Sequence, residues 1–129
     1  MTTTREITDH HTNECNRAIH VVADERDPNS GYASHHYTIT LDRSAPDDPL
    51  TEETRLRFQR GPIKEAGING ITNEVLLAIV IDRLEGFQSG PFACDENAAA
   101  LHHVRAALSR LEDRTRARAV RGVEGTHEP

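Results

Sequence analysis

The chain of 129 residues has the length of one ordinary domain, and with 36% apolar residues and no Trp it predicts a small core or one completed by a partner chain. A formal net charge of −6 argues against general binding of nucleic-acid polymers, because that binding needs a positive surface. No apolar run approaches the roughly 18 residues that span a bilayer, and the polar N-terminus lacks a signal region, so we expect a cytosolic protein without membrane association.

The N-terminal part predicts a flexible tail followed by a β-hairpin. Residues 1–14 are Thr-rich, charged and aperiodic, which is typical of a tail. Alternating apolar residues then predict strands over residues 18–24 and 36–41. The sequence DPNSG, which begins at Asp27, carries turn signals within a loop of about ten residues. The two strands are therefore expected to pair in an antiparallel hairpin.

A third strand completes the predicted sheet. The sequence SAPDDP at residues 44–49 predicts a loop, and residues 55–59 place Leu56 and Phe58 on one face of a strand. The three segments predict a small antiparallel sheet, apolar on one side, within residues 15–60.

The pattern changes to two long helices in residues 61–129. Thr72 is placed to cap the first helix, because its hydroxyl can accept a hydrogen bond from a free backbone N–H group. The pair Gly90–Pro91 ends that helix, whose apolar residues cover most of its circumference. The second helix is expected from about residue 93 to Arg121 and has only a narrow apolar seam. Gly122 is its expected left-handed terminator.

The two predicted helices differ in length, and this predicts an oligomer. At about 1.5 Å per residue the second helix is roughly 40 Å long, and a first helix of roughly 17 residues cannot cover it. The excess is expected to pack against another subunit, as a dimer or a multiple of dimers. The predicted fold class is α+β: one domain with an N-terminal antiparallel sheet and a C-terminal helical hairpin that oligomerises through its helices.

Metal ligands and cofactor motifs are sparse. Six of the eight histidines form the adjacent pairs His10–His11, His35–His36 and His102–His103, whose side chains diverge on either a strand or a helix. Cys15 and Cys94 are far apart in the sequence and are predicted to be reduced thiols. We therefore expect no metal site and no cofactor.

Catalytic signatures are also missing from the sequence. There is no G-x-S-x-G motif, no Walker loop and no G-x-G-x-x-G motif. Asp95 and Glu96 could act as an acid and a base, but acidic residues at the start of a helix commonly interact with its dipole. No catalytic residue is predicted.

The turn between the two helices holds a candidate ligand site. Phe87 lies at the end of the first helix and Asn97 in the first turn of the second. An aromatic face beside an amide suits adenine, which stacks on the ring and hydrogen-bonds at its edge. The alternative is that Phe87 belongs to the core and Asn97 to the local helix start.

Arginines near the end of the second helix form a second candidate site. Arg114 and Arg118 are i,i+4 neighbours, and guanidinium groups bind phosphate oxygens in a bidentate manner. The alternative is that they complement the helix dipole and pair with Glu112 or Asp113. Because Asn97 and Arg114 are separated by about 26 Å along one helix, they cannot hold the same small ligand within one chain.

Three stretches resemble a known family. FQRGPIKEAGINGITNEVLLAIVIDRL at residues 58–84, GFQSGPFACDENAAAL at residues 86–101 and RTRARAVRGVEGT at residues 114–126 are similar to the phage anti-Thoeris sponge proteins, the first of the Thoeris anti-defence families. The same helical hairpin recurs in phage anti-CBASS sponges. IHVVADERDPNSGYASHHYTIT at residues 19–40 resembles that family's N-terminal sheet more loosely.

The resemblance implies a non-enzymatic protein of the host bacterial cytoplasm that sequesters immune signals. The family's ligands are glycocyclic ADP-ribose isomers and, in some members, cyclic oligonucleotides such as cyclic trinucleotides. The family pattern implies that Phe87 and Asn97 contact the cyclic ADP-ribose and that Arg114 and Arg118 contact the phosphates of a cyclic trinucleotide. Asp95 departs from that pattern, since relatives often carry a basic residue there, and its charge is expected to repel a diphosphate.

Two other functions are compatible with the sequence. The chain could be a structural or regulatory phage protein whose helical hairpin only mediates oligomerisation. It could also be a nuclease-like or deaminating enzyme that uses Glu96, although the sequence lacks a metal triad for such an enzyme.

Overall fold

A computed structural model describes residues 4–42, 47, 50–122 and 125–127. The chain divides into two compact units. The sheet unit is Met1–Gly61 with Ile68–Ile71, and the hairpin unit is Pro62–Gly67 with Thr72–Pro129. Each unit has its own secondary structure, and the expectation of one domain stays a prediction.

The sheet unit contains a four-stranded antiparallel sheet. Its strands are β1 (Arg5–Ile7), β2 (Ile19–Ala23), β3 (His36–Asp42) and β4 (Thr51–Arg57), and they lie side by side in chain order. A short helix, α1 (Glu14–Arg17), precedes β2. The sheet and the helices that follow confirm the α+β class.

Strand β1 lies inside residues 1–14, which were expected to form a flexible tail. It pairs with β2 in the register Glu6↔Val22 and Ile7↔Val21. A strand of three residues is too short to show alternation, so its pairing with β2 orders it rather than its own sequence pattern.

The last strand also differs from its prediction. The expected strand at residues 55–59 starts earlier, at Thr51, and ends at Arg57. All residues of β4 except Leu56 are exposed, and such a strand carries no period-2 apolar signal. The predicted loop at residues 44–49 falls mostly outside the described residues.

The connection between β2 and β3 is fixed by its turn residues, as predicted. A 3-10 helix, Pro28–Ser30, begins after Asp27, whose carboxylate Oδ1 accepts a hydrogen bond of 2.9 Å from the Asn29 N–H group. Gly31 ends it at φ 70°, a conformation that glycine adopts without steric cost. Tyr32 follows with φ 66°, which is uncommon for a residue with a side chain.

After β4, the next two residues of the chain form backbone hydrogen bonds with other parts of the sheet unit. The Phe58 N–H group donates to the His35 carbonyl at 2.7 Å, and Gln59 donates to the Ile71 carbonyl at 2.8 Å. Gly70 lies against Phe58 so closely that an added Cβ would be 2.4 Å from the Phe58 carbonyl carbon. Only glycine fits at this position.

The hairpin unit contains α2 (Ile63–Ala66), α3 (Asn73–Gln88) and α4 (Asp95–Val120). The Thr72 hydroxyl accepts a hydrogen bond of 3.4 Å from the Val75 N–H group, which confirms the predicted cap. Gly122 has φ 73° just after the end of α4, which confirms the predicted left-handed terminator. The Arg105 guanidinium binds the Glu85 carboxylate at 2.9 Å and so links α4 to α3.

Little apolar surface is buried within the hairpin unit. Leu101 is its one buried apolar residue among those described, and no residue of α3 is buried. Ile79 on α3 is 59% exposed and Val120 on α4 is 88% exposed. None of the described helices is long and apolar enough to cross a membrane.

Candidate functional site

The turn between α3 and α4 is held by a reciprocal side-chain contact. The Gln88 amide donates to the Cys94 carbonyl at 3.2 Å and accepts from the Cys94 N–H group at 3.1 Å. Cys94 is also the N-cap of α4, because its Sγ accepts a hydrogen bond of 3.4 Å from the Asn97 N–H group. These contacts fix the first turn of α4 relative to the last turn of α3.

The structure places Phe87 and Asn97 on the two sides of this fixed turn, as the sequence predicts. Phe87 is 37% exposed, and Arg83 one turn earlier lies 5.2 Å from the centre of its ring. This cation–π contact orients the ring without burying it. Within the single chain, Phe87 is therefore not part of a buried core.

Asn97 lies in the first turn of α4 and is half-buried. Its N–H group is used by the Cys94 cap, whereas its side-chain amide has no hydrogen-bond partner in the described part of the chain. An amide offers one acceptor and two donors, so Asn97 can bind the edge of a base or a ribose hydroxyl. Asp95 and Glu96 beside it are both exposed.

The two predicted arginines at the other end of α4 differ in burial. Arg114 is exposed, and its guanidinium has no partner among the residues that the structure describes. Arg118 is only 8% exposed, and its Nη2 donates to the Thr126 carbonyl at 3.0 Å. The two side chains are i,i+4 neighbours on α4, but only Arg114 is directly accessible to a phosphate.

The segment that Arg118 contacts is also attached to α2. The Lys64 N–H group donates to the Gly125 carbonyl at 3.2 Å, and the His127 ring lies 3.2 Å from the Glu65 carboxylate. Residues 125–127 therefore lie against both α2 and Arg118. The Thr126 carbonyl therefore occupies the Nη2 donor of Arg118.

Neighbouring arginines on α4 are paired with one carboxylate. Arg116 forms an ion pair with Asp113, and Arg110 lies 3.7 Å from the same residue. The alternative prediction, that Arg114 and Arg118 pair with Glu112 or Asp113, does not describe this contact, because the arginines that Asp113 pairs with are Arg110 and Arg116. Arg114 is left as the free cation of this turn within the described residues.

The continuous α4 helix keeps the two predicted sites apart. Asn97 and Arg114 both lie within Asp95–Val120, so their spacing along the helix is about 26 Å. One chain does not bring the turn residues and the arginines together around one small ligand.

The sheet unit contains a pocket that the sequence did not reveal. Its volume is about 220 Å³. It is lined by His35, His36, Arg57, Phe58, Arg60 and Asn69. Guanidinium and imidazole donors beside an aromatic ring are groups that bind anions and bases. The available sequence signal was the segment RFQRG, which begins at the last residue of β4 and carries an arginine on each side of Phe58.

Two carboxylates fix the side chains around this pocket. The Asp27 carboxylate lies 3.2 Å from the His35 ring and 3.1 Å from the Arg60 Nε atom. Asp24 binds the His36 ring at 2.8 Å. His35 is buried, and its Nδ1 atom has no hydrogen-bond partner in the described part of the protein.

The same contacts change the acidity of both carboxyl groups. Burial raises the pKa of Asp24, but hydrogen bonds from His36 and His35 outweigh it and leave the pKa below 3.8. The Asn29 N–H group, with smaller effects from Arg60 and His35, lowers the pKa of Asp27 below 3.8. Both groups are therefore ionised at neutral pH.

Comparison with known proteins decides the family. Residues 52–116 match the family model of the Acb2/Tad1 hairpin domain, which is half of the chain. The chain belongs to the Acb2/Tad1 hairpin-domain family. It is also 52% identical, over 73 residues, to a protein of Bacillus phage SBSphiJ7 that is named Thoeris anti-defense 1. That alignment covers 57% of this chain and 51% of the relative, so the chain spans about half the relative's length.

The Acb2/Tad1 hairpin match contains the whole turn site and part of the other two candidate sites. Phe87, Asn97 and Arg114 lie inside residues 52–116, whereas Arg118 follows two positions after its end. Of the sheet pocket, the match includes the residues from β4 onward but neither His35 nor His36. The resemblance to anti-Thoeris sponges is confirmed.

Proposed function

We propose that this protein is a phage anti-defence sponge, which binds and sequesters cyclic nucleotide immune signals without cleaving them. One observation supports this above all: an exposed Phe87 ring and a free Asn97 amide flank a fixed turn within an Acb2/Tad1 hairpin domain. The name of the phage relative, Thoeris anti-defense 1, supports the anti-defence role. The site of action would be the host bacterial cytoplasm.

The proposed ligand of the turn is a glycocyclic ADP-ribose signal. Adenine would stack on the exposed part of the Phe87 ring, and the Asn97 amide would hydrogen-bond to the base edge or a ribose hydroxyl. The Gln88–Cys94 contact holds the turn before the ligand arrives. Less ordering is then needed on binding, which favours tight retention.

Cyclic oligonucleotides, including cyclic trinucleotides, are the proposed ligands of the arginine end. Arg114 is available for a phosphate as it stands, and Arg118 would join once residues 125–127 move away from it. Copies of Arg114 brought together in a homo-oligomer, a dimer or a multiple of dimers, would match several phosphates around a ring.

A structural protein that only oligomerises is the second candidate. The exposed apolar residues on α3, among them Ile79 and Val80, support oligomerisation through the helices. Oligomerisation is also part of the sponge proposal, so the two functions differ in ligand binding. An enzyme that uses Glu96 is a third possibility, and it differs from both in releasing an altered product.

One experiment separates these functions. The protein is incubated with the purified signal of a Thoeris TIR enzyme, filtered from free ligand, heated, and its supernatant analysed by mass spectrometry. A sponge releases the intact signal, whereas an enzyme releases a product and a structural protein retains no ligand. Recovery of a cleaved signal or of no signal would contradict the proposal.

A further inference from the structure

Three potential metal ligands converge at one edge of the sheet unit, outside the region matched by the family. They are Glu6 on β1, His11 in the turn that follows, and His20 on β2. One ligand atom from each lies within 4.8 Å of the others. Only His11 comes from an adjacent histidine pair, and the other two ligands come from the strands β1 and β2. The opposite directions of the two side chains in such a pair therefore do not prevent a shared metal site.

The strand register brings Glu6 and His20 together. Glu6 pairs with Val22 on β2, and His20 lies two residues before Val22 on the same face. Diagonal neighbours across antiparallel strands lie within reach of long side chains. The His20 Nδ1 atom is 3.5 Å from the Glu6 Oε1 atom.

A hydrogen bond orients His11 for coordination. Its Nε2 atom lies 2.9 Å from the Ile19 carbonyl oxygen. A carbonyl only accepts, so Nε2 carries the proton and donates, and Nδ1 keeps a lone pair for a metal. Histidines that bind metals commonly donate their other ring N–H group to a carbonyl in this way.

The ligand types and one interatomic distance fit zinc. Ligands bound at 2.0–2.1 Å in a tetrahedron are roughly 3.3 Å apart, close to the 3.5 Å between His20 and Glu6. The His20 and Glu6 side chains are about half exposed, so they can rotate to close the remaining distances to His11. Two imidazoles suit Zn²⁺ and not Ca²⁺ or Mg²⁺, which prefer oxygen ligands.

We propose that Glu6, His11 and His20 bind one Zn²⁺ ion, with the fourth position open to solvent. The ion would connect β1 and the following turn to β2, and so stabilise the three-residue edge strand. This site is independent of the proposed sponge function, because all of its residues lie outside residues 52–116.

The test measures Zn²⁺ binding to the full chain, freed of metal by a chelator, through competition with a chromophoric zinc indicator. We expect one ion per chain and a loss of affinity of at least about tenfold in His20→Gln, since even outer contacts of a metal site contribute that much. The matched control is His102→Gln with His103→Gln, which removes an exposed adjacent pair on α4. It should bind Zn²⁺ like the unchanged protein.

A second readout separates specific binding from adventitious binding to surface histidines. Both tyrosines, Tyr32 and Tyr37, lie in the sheet unit, so tyrosine fluorescence follows its thermal unfolding. Zn²⁺ should raise the melting temperature of the unchanged protein and of the α4 control but not of His20→Gln. If His20→Gln is unfolded without metal, Glu6→Gln replaces it. The proposal is overturned if the folded His20→Gln or Glu6→Gln variant binds Zn²⁺ as tightly as the unchanged protein. It is also overturned if the α4 control loses as much Zn²⁺ affinity as that variant.

Discussion

The sheet unit and the hairpin unit differ in the large apolar side chains that their regular elements expose: among the described residues, one in the strands, Val22, and six in the helices. In the sheet unit, His35 is buried and bound to Asp27, so polar groups are positioned within one chain. In the hairpin unit, Ile79 and Val120 are exposed, and Leu101 is the one buried apolar residue among those described. A long hairpin that buries so little of its own apolar surface is suited to be completed by another molecule.

The largest expected effect is on assembly through α3. Ile79→Glu should convert an oligomer into a monomer, because a carboxylate buried without a partner costs several kcal/mol. Ile79 is 59% exposed in the single chain, so the variant should keep its fold. Light scattering at micromolar concentration measures the mass, and circular dichroism checks the helices.

The matched control for assembly is Thr54→Glu, which adds the same charge at an exposed position of β4. Its mass should remain that of the unchanged protein. A monodisperse monomer for the unchanged protein would contradict the oligomer and remove the explanation offered for the exposed α3 residues.

The second prediction concerns the arginine end. Arg114→Ala with Arg118→Ala should abolish cyclic-trinucleotide binding and leave cyclic ADP-ribose binding intact, because the two sites are about 26 Å apart along α4. The affinity of the unchanged protein should fall with salt, as expected for phosphate contacts. Isothermal titration with both ligands measures this.

Arg116→Ala is the control for the arginine end. Arg116 lies in the same turn as Arg114, but its charge is already paired with Asp113. Arg114→Ala alone separates phosphate binding from the packing of residues 125–127, because Arg118 and not Arg114 contacts that segment. Equal damage to both ligands by the double variant would mean one composite site.

The third prediction concerns the turn. Phe87→Ala should weaken cyclic ADP-ribose binding by about 1–3 kcal/mol, the typical contribution of stacking on an aromatic ring. Phe92→Ala is the control, because Phe92 is in the same turn and 72% exposed but lies outside the proposed contact. Unchanged affinity in a folded Phe87→Ala variant would remove Phe87 from the site.

The helices were more predictable than the sheet, for physical reasons. Thr72 and Gly122 mark helix ends by local hydrogen bonding and by a positive φ, and both predictions were confirmed. Strand β1 depends on pairing with β2, and residues 51–54 of β4 are all exposed, so neither stretch shows a local apolar pattern. The alternation of Leu56 and Phe58 indicated only the end of β4.

The candidate sites were also predictable where they depend on local spacing, and not where they depend on long-range contacts. Phe87 and Asn97 are ten positions apart, so sequence spacing alone places them on the two sides of the turn between α3 and α4. The burial of Arg118 results from a contact with Thr126 beyond the end of α4, which helical periodicity does not reveal. The sheet pocket depends on the pairing of β3 with β4 and the return of the chain near Asn69, which are long-range contacts.

The fourth prediction is a loss of stability of the sheet unit in acid. Asp24 and Asp27 have pKa values below 3.8 in the folded protein, so their ionised forms stabilise the fold above that pH. The contribution is lost as the pH falls below about 4 and through the lowered values. Urea titrations followed by tyrosine fluorescence at several pH values should show this loss. Asp27→Asn should reduce the slope of the unfolding free energy against pH. An equal slope in the variant would show that other groups dominate the pH dependence.

The smallest expected effect is at Asp95, where binding and stability should change in opposite directions. Asp95→Asn should strengthen binding of a diphosphate signal by less than about 1 kcal/mol, because an exposed charge is strongly screened. It should also destabilise α4 by about 0.3–1 kcal/mol, since the carboxylate lies in the first turn of the helix. Glu112→Gln makes the same charge change about 26 Å along α4, beyond the screening length of about 10 Å, and should leave binding unchanged. If both variants strengthen binding equally, the effect belongs to the net charge and Asp95 does not face the ligand.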